Sequence, residues 1–133
     1  SKKIYEISKH PKTFFVFYDS KNKTQLRIKT LSKIHYQNEI TKKSWNLTNL
    51  SSRKCYLAIK APSSKSHFSE DSLPTYLKGI DPSKKESENG YKNFAVIENK
   101  IKKIEWLYLS SSGHKRLLIN FGKNSNKYQW LIP

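Results

Sequence analysis

The sequence is poor in several residue types on which common kinds of functional site depend. Its single cysteine, Cys55, excludes an internal disulfide and fits a reducing compartment. Only four glycines occur, and none belongs to a glycine-rich phosphate-binding loop. The histidines are scattered, so no Cys/His cluster has the spacing of a zinc site, and we expect no metal. With so few reactive side chains, an enzyme of this sequence would take its chemistry from a bound cofactor.

Long apolar runs are also absent. No stretch approaches the roughly 20 consecutive apolar residues that a membrane-spanning helix requires. No secretory signal peptide begins the chain, so we expect a cytoplasmic protein without a membrane partner. The chain has 133 residues and no internal repeats, which predicts a single domain over residues 1–133.

Acidic residues are scarce: 10 of them stand against 26 lysines and arginines, and the formal net charge is +16. Such a charge attracts anions, whether nucleic acid or a phosphorylated small molecule. The lysines are dispersed along the chain, and neither a helix-turn-helix pattern nor an aromatic RNA-binding motif is present. We therefore do not expect nucleic acid as the partner, and we keep a basic nucleic-acid-binding β-barrel as an alternative.

Arginine is the rarest basic residue, with only Arg27, Arg53 and Arg116 in the chain. Its flat guanidinium can bind a phosphate or carboxylate through two parallel hydrogen bonds, which a lysine cannot do. Arg116 lies in the second strand of a predicted hairpin, 102–121, whose turn is 110–113. This arrangement indicates an anion-binding arginine, and an ordinary surface cation is the alternative.

Apolar periodicity predicts about five strands and three short helices. The run over 13–18 predicts a strand covered on both faces, and the alternation over 24–36 predicts a half-buried strand paired with it. In that second strand Gln25 and Arg27 share the side that faces away from the core. The other expected elements are helices over 1–10, 38–48 and 51–57, a strand over 93–97, the hairpin and a last strand over 128–132. Hairpins outnumber parallel units, so we expect a mostly β fold with short helices, a small antiparallel barrel.

Residues 61–90 form the least regular stretch, which is rich in serine, proline, lysine and glutamate. A connection of nearly thirty residues is too long to be passive. We expect an irregular functional or partner-contacting loop there, with one helical turn near 73–77.

Several separated motifs resemble, in order and spacing, those of the pyridoxamine 5′-phosphate oxidase-related family of FMN-binding split barrels. The motifs near the start are Ser1-Lys2-Lys3 opening a helix, the strand TFFVFYD and Thr24-Gln25-Leu26-Arg27. The later motifs SSRKCYLAIKAPSS, YKNFAVIENKIKKIEWLYLSSSGHKRLLINF and QWLIP resemble the branch distinct from the true vitamin B6 oxidases. The resemblance implies a small antiparallel split β-barrel, N-terminally incomplete because the family domain has further strands before Ser1.

The resemblance also implies cofactor contacts, residue by residue. Lys2 and Lys3 would contact the FMN phosphate from the start of a helix, where backbone N–H groups also face an anion. Gln25 would hydrogen-bond the flavin. Ser63 and Ser64 would reach FMN across the interface of a homodimer.

On the substrate side, the resemblance places Arg116 at the hairpin arginine that grips the substrate, and Arg53 near a segment that contacts the substrate phosphate. It implies an FMN-dependent oxidoreductase acting on a small phosphorylated or anionic substrate, with no side chain assigned a catalytic role. The vitamin B6 oxidases carry histidine and arginine where this chain has Leu118 and Asn120, which argues against pyridoxamine 5′-phosphate as the substrate. A non-catalytic flavin- or anion-binding module is the alternative.

Overall fold

Five antiparallel strands dominate the computed structural model, which describes all residues, 1–133. They form one sheet in the order β1-β2-β3-β4-β5. Their bounds are Lys12–Asp19 for β1, Thr24–Tyr36 for β2, Ala95–Tyr108 for β3, Lys115–Phe121 for β4 and Asn126–Leu131 for β5. The predicted mostly β class is therefore confirmed. The strand expected over 93–97 is the start of the 14-residue β3, which also supplies the first strand of the hairpin.

The predicted hairpin joins β3 to β4 through a turn that ends near Gly113. The Gly113 N–H donates to the Ser110 carbonyl oxygen at 3.1 Å, and Gly113 has φ +121°, which favours glycine. The register sets Leu107 opposite Arg116. Because paired residues share a face and neighbours alternate, Arg116 lies on the face of Leu107 and Lys115 lies on the other face.

Strand β1 is the first strand in the sheet order and pairs with β2 alone. Its side chains at Phe14, Val16 and Tyr18 are 53–57% exposed. The prediction that this strand is covered on both faces is therefore wrong. An apolar run shows that the residues suit a strand, but not which surface of another element covers them.

Strand β2 has the predicted half-buried alternation, with Thr30 and Ser32 buried and Lys29 and Lys33 exposed. At the end of β2 the buried and exposed sides are the opposite of those expected. Tyr36, expected on the core side, is exposed, and His35 is buried. Local hydrogen bonds explain the difference. The Asn38 side-chain NH₂ group donates to His35 Nδ1 at 3.2 Å, and the Tyr36 hydroxyl donates to the Lys92 carbonyl oxygen at 2.7 Å.

The helices are short, and none is long and apolar enough to cross a membrane. The α-helices are α1 Lys2–Lys9, α2 Glu39–Asn46, α3 Leu50–Arg53 and α4 Lys84–Ser87, and 3₁₀ turns cover Lys54–Leu57, Thr75–Leu77 and Glu88–Asn93. The first three α-helices and the turn near 73–77 confirm predictions. Residues 61–90 are less irregular than expected, because α4 and the start of a 3₁₀ turn lie within them.

The chain divides into two compact units, each built from separated segments. Unit 1 comprises Ser1–Tyr5 and Ile34–Ile97, and unit 2 comprises Glu6–Lys33 and Glu98–Pro133. Unit 1 contains α2, α3 and α4, and unit 2 contains all of β1, β4 and β5.

Unit 1 has an aromatic core around Trp45, which is 1% exposed. The rings of Tyr56, Tyr91 and Phe94 lie with centroids 5.2–5.7 Å from the Trp45 ring, in edge-on or tilted arrangements. Such pairs contribute about 0.5–1.5 kcal/mol beyond their area burial. A Cβ at Gly90 would lie 3.0 Å from Tyr56 Cβ, so a side chain at this position would require Tyr56 to shift by a few tenths of an ångström.

Candidate functional site

Four polar side chains of unit 2 form a continuous hydrogen-bonded group, here called the arginine–glutamate row: Gln25, Arg27, Glu105 and Arg116. The Arg27 Nε–H donates to Gln25 Oε1 at 2.8 Å. Arg27 Nη1 lies 3.3 Å from Glu105 Oε1, and Arg116 Nη2 lies 2.9 Å from the same oxygen. The two guanidinium groups therefore meet on one carboxylate oxygen.

Strand geometry explains why these four residues come together. Gln25 and Arg27 are two residues apart in β2 and share a face, as do Glu105 and Leu107 in β3. Leu107 pairs with Arg116 of β4, and β3 lies between β2 and β4 in the sheet. Glu105 is therefore the central member of the row, with an arginine from each neighbouring strand.

The row carries a surplus of positive charge in a partly shielded position. Exposed fractions of the side chains are 15% for Glu105, 30% for Arg116 and 45% for Arg27. The Arg116 Nε–H is buried and has no hydrogen-bond partner. A buried donor without an acceptor costs about 1–3 kcal/mol, so this N–H would gain from an added acceptor. Two cations on one anion, with an unused guanidinium donor, suit an anionic ligand.

Two of the predicted site residues, Gln25 and Arg116, lie in this row, and the structure links them through Arg27 and Glu105. Sequence reasoning missed the roles of Arg27 and Glu105. A signal existed for Arg27, which is one of three arginines and shares a strand face with Gln25. Glu105 had no comparable signal, because its pairing with Arg27 joins positions 78 residues apart.

Lys2 and Lys3 occupy the first turn of α1, as expected. The Ser1 carbonyl oxygen accepts from the N–H groups of Ile4 and Tyr5 at 3.1 and 3.3 Å. Both lysines are exposed, and the first turn contains no acidic residue. A helix start with two cations favours an anion such as a phosphate group.

Ser63 and Ser64 line an open depression of about 300 Å³ in unit 1, together with Cys55 and Lys60. Ser63 has φ +68°, and the Ser64 N–H donates to the Ala61 carbonyl oxygen at 3.1 Å. The depression also contains Glu70, whose carboxylate accepts from Lys60 Nζ at 2.6 Å and from the Ser66 hydroxyl. These hydrogen bonds, that from Lys60 foremost, lower the pKa of the exposed Glu70 carboxyl below its ordinary value.

Arg53 has a different setting from the other predicted site residues, because it is 3% exposed. Its carbon Cζ lies 4.6 Å from the centroid of the Trp45 ring. The guanidinium donates to Glu88 Oε1 at 2.7 Å and Ser87 Oγ at 3.1 Å, and to the carbonyl oxygens of Trp45 and Thr48 at 2.7 and 3.1 Å. Every guanidinium nitrogen therefore has a partner inside unit 1, which assigns Arg53 a stabilising role. The expected substrate contact of Arg53 stays an untested prediction that this burial disfavours.

The fold defined by these elements is a split barrel, as the comparison with solved structures shows. No protein-family model matches the sequence, and no curated protein matches it. The structure is similar to that of a pyridoxamine 5′-phosphate oxidase-related, FMN-binding protein from Nostoc punctiforme. The TM-score is 0.73 at 14% sequence identity, over 100% of this chain and 69% of that chain.

A second similar structure is PhzG from Burkholderia lata in complex with tetrahydrophenazine-1-carboxylic acid. Here the TM-score is 0.61 at 16% identity, over 100% of this chain and 64% of that chain, so the present chain spans less than two thirds of it. The resemblance predicted from the sequence motifs is thus confirmed at the level of the fold: the chain has the architecture of the pyridoxamine 5′-phosphate oxidase-like proteins.

Proposed function

We propose that this chain is an FMN-binding flavoprotein, an oxidoreductase of the pyridoxamine 5′-phosphate oxidase-like type that acts on a small anionic substrate. The observation that carries the proposal is the arginine–glutamate row, which joins Gln25 and Arg116 on one face of a split-barrel sheet. Support also comes from the similar Nostoc protein, which is described as FMN-binding. When bound, FMN would supply the ring that accepts a hydride, so the protein needs no reactive side chain of its own.

The chain's own residues fit such a cofactor in three places. Lys2 and Lys3 offer two cations at the start of a helix, where backbone N–H groups face an anion such as a phosphate. The Oε1 atom of Gln25 accepts from Arg27, which orients the amide and leaves its NH₂ group to donate to the flavin. The Ser63 and Ser64 hydroxyls would add contacts from the partner subunit of a homodimer, which is part of the proposal.

On the substrate side, Arg116 would hold the anionic group of the substrate. Its unused buried Nε–H is the donor that supports this role. The similar protein PhzG is in complex with a carboxylic acid, which agrees with an anionic substrate class. Arg53 has no place in this scheme, because its donors are used inside unit 1.

The first test is whether the purified full chain binds FMN. We expect a yellow protein, or a colourless one that takes up added FMN in a fluorescence titration. The double variant Lys2→Gln/Lys3→Gln should weaken binding by roughly tenfold, equivalent to ~1.4 kcal/mol, because both phosphate cations are lost. The double variant Lys42→Gln/Lys43→Gln removes the same charge from the exposed surface of α2 and should bind FMN like the unchanged protein.

For the flavin ring, Gln25→Ala should weaken FMN binding, while Gln129→Ala on the exposed strand β5 should not. A colourless protein that fails to bind added FMN at micromolar concentrations would contradict the proposal. If FMN binds, oxygen uptake with pyridoxamine 5′-phosphate and with small carboxylic acids separates an oxidase from a non-catalytic flavin-binding module.

A further inference from the structure

The arginine–glutamate row already contains an anion, the carboxylate of Glu105. Its Oε1 atom accepts from Arg116 Nη2 at 2.9 Å and lies 3.3 Å from Arg27 Nη1. A carboxylate held between two guanidinium groups has the same chemistry as the carboxylate or phosphate of a small ligand. Glu105 is also the only acidic partner that the structure gives to either arginine.

The row is nevertheless incomplete around Arg116. One of its two terminal nitrogens bonds Glu105, while its Nε–H is buried without any acceptor. A guanidinium binds an anion best through two parallel N–H donors, and Glu105 reaches Arg116 through one. A free anion can therefore make a geometry with Arg116 that the tethered carboxylate does not make.

We propose that Arg27 and Arg116 form a binding site for the phosphate or carboxylate group of a small molecule, and that Glu105 is a built-in competitor for that site. The ligand displaces the Glu105 carboxylate from the arginines, and Glu105 lowers the affinity for every anion that enters. Because the competitor is tethered to the site, it lowers the affinity for each such anion by the same factor. A phosphate monoester carries more charge than the carboxylate that it displaces, so it competes better than a monocarboxylate does. Glu105 is thus a residue that sets the affinity of the site and not a catalytic one.

This inference shares Arg116 with the proposed function, but it requires no flavin. Its test is the binding of inorganic phosphate and of acetate to the full chain, followed by the Arg Nε–H signals in NMR and by calorimetry. In the unchanged protein, phosphate should shift the Arg116 Nε–H signal at lower concentration than acetate does.

Three variants separate the proposed competition from general attraction to a basic protein. Glu105→Gln should tighten phosphate and acetate binding by the same factor, about tenfold, since the competing charge is removed. Arg116→Gln should abolish the site. Lys115→Gln removes the same charge from the neighbouring residue, which lies on the opposite face of β4, and should leave phosphate binding unchanged.

The inference is overturned if Glu105→Gln binds phosphate no more tightly than the unchanged protein, or if Lys115→Gln loses as much affinity as Arg116→Gln. Circular dichroism checks that the variants are folded. If Glu105→Gln does not fold, Glu105→Asp retains the charge but shortens its reach, and it should show a smaller gain in phosphate affinity; no gain there also overturns the inference.

A parallel FMN titration keeps the two proposals apart. Suppose that Glu105→Gln tightens phosphate binding but the protein does not bind FMN. This result would support the competition by Glu105 and contradict the flavin proposal. If the protein binds FMN but Glu105→Gln leaves phosphate binding unchanged, the flavin proposal would be supported and the competition by Glu105 contradicted.

Discussion

At the scale of single residues, Arg53 is a buried cation that joins several parts of unit 1. It is 3% exposed, pairs with Glu88, and donates to two backbone carbonyl oxygens near α2 and α3. We expect Arg53→Lys to lower the free energy of unfolding by about 2–4 kcal/mol, because an ammonium group cannot replace the planar set of donors and leaves buried acceptors unpaired. Urea unfolding followed by tryptophan fluorescence measures this.

The matched control for that prediction is Lys42→Ala, which truncates an exposed cation of α2 and should change the stability by no more than about 0.5 kcal/mol. An Arg53→Lys protein as stable as the unchanged one would show that the hydrogen bonds of Arg53 contribute little.

The sequence motifs singled out two members of the row, Gln25 and Arg116, and no motif singled out the other two. Gln25 and Arg116 were found through motifs, which are local in the chain. The partnership of Glu105 with Arg27 and Arg116 depends on which strands are neighbours, and no local pattern reports that. The same holds for the ion pair of Arg53 with Glu88, which joins positions 35 residues apart.

At the scale of elements, α2 begins with a reciprocal cap. The Asn38 side chain accepts from the Thr41 N–H at 3.1 Å, and the Thr41 hydroxyl accepts from the Asn38 N–H at 2.9 Å. We expect Asn38→Ala to lower the free energy of unfolding by about 1 kcal/mol, because one N–H at the helix start loses its acceptor. Urea unfolding midpoints measure the change.

Asn46→Ala, at the exposed end of the same helix, is the comparison for that variant, since it removes the same side chain away from the cap. Equal effects of the two substitutions would contradict a specific role for the cap.

Elements were predictable where they are long or strongly periodic. Strand β2 and the hairpin could be predicted from the sequence because one face of each is apolar over many residues. Helix α4 was missed because four residues are too few to show a helical period. Its readable signal was the pair Ser83 and Glu86, which forms a capping box in which the Ser83 side chain accepts from the Glu86 N–H.

At the scale of the whole molecule, the net charge of +16 explains a general attraction for anions but not the choice of one. Specificity would come from places where cations are fixed by local geometry, such as the arginine–glutamate row and the first turn of α1. The division into two units, each built from separated segments, was not predictable from composition or spacing, because it depends on contacts between distant parts of the chain.

The free edge of β1 has a consequence for the rate at which its amides exchange with solvent. The Ser32 N–H donates to the Pro11 carbonyl oxygen at 2.7 Å. In an antiparallel pair, the residues whose N–H groups point at the partner strand then recur at every second position of β1. The amides of Phe15 and Phe17 therefore face β2, while those of Phe14, Val16 and Tyr18 face the open edge. In deuterium oxide the first pair should exchange slowly and the other three fast, as NMR can resolve. Slow exchange at all five positions would instead indicate that a strand from a second molecule covers this edge in solution.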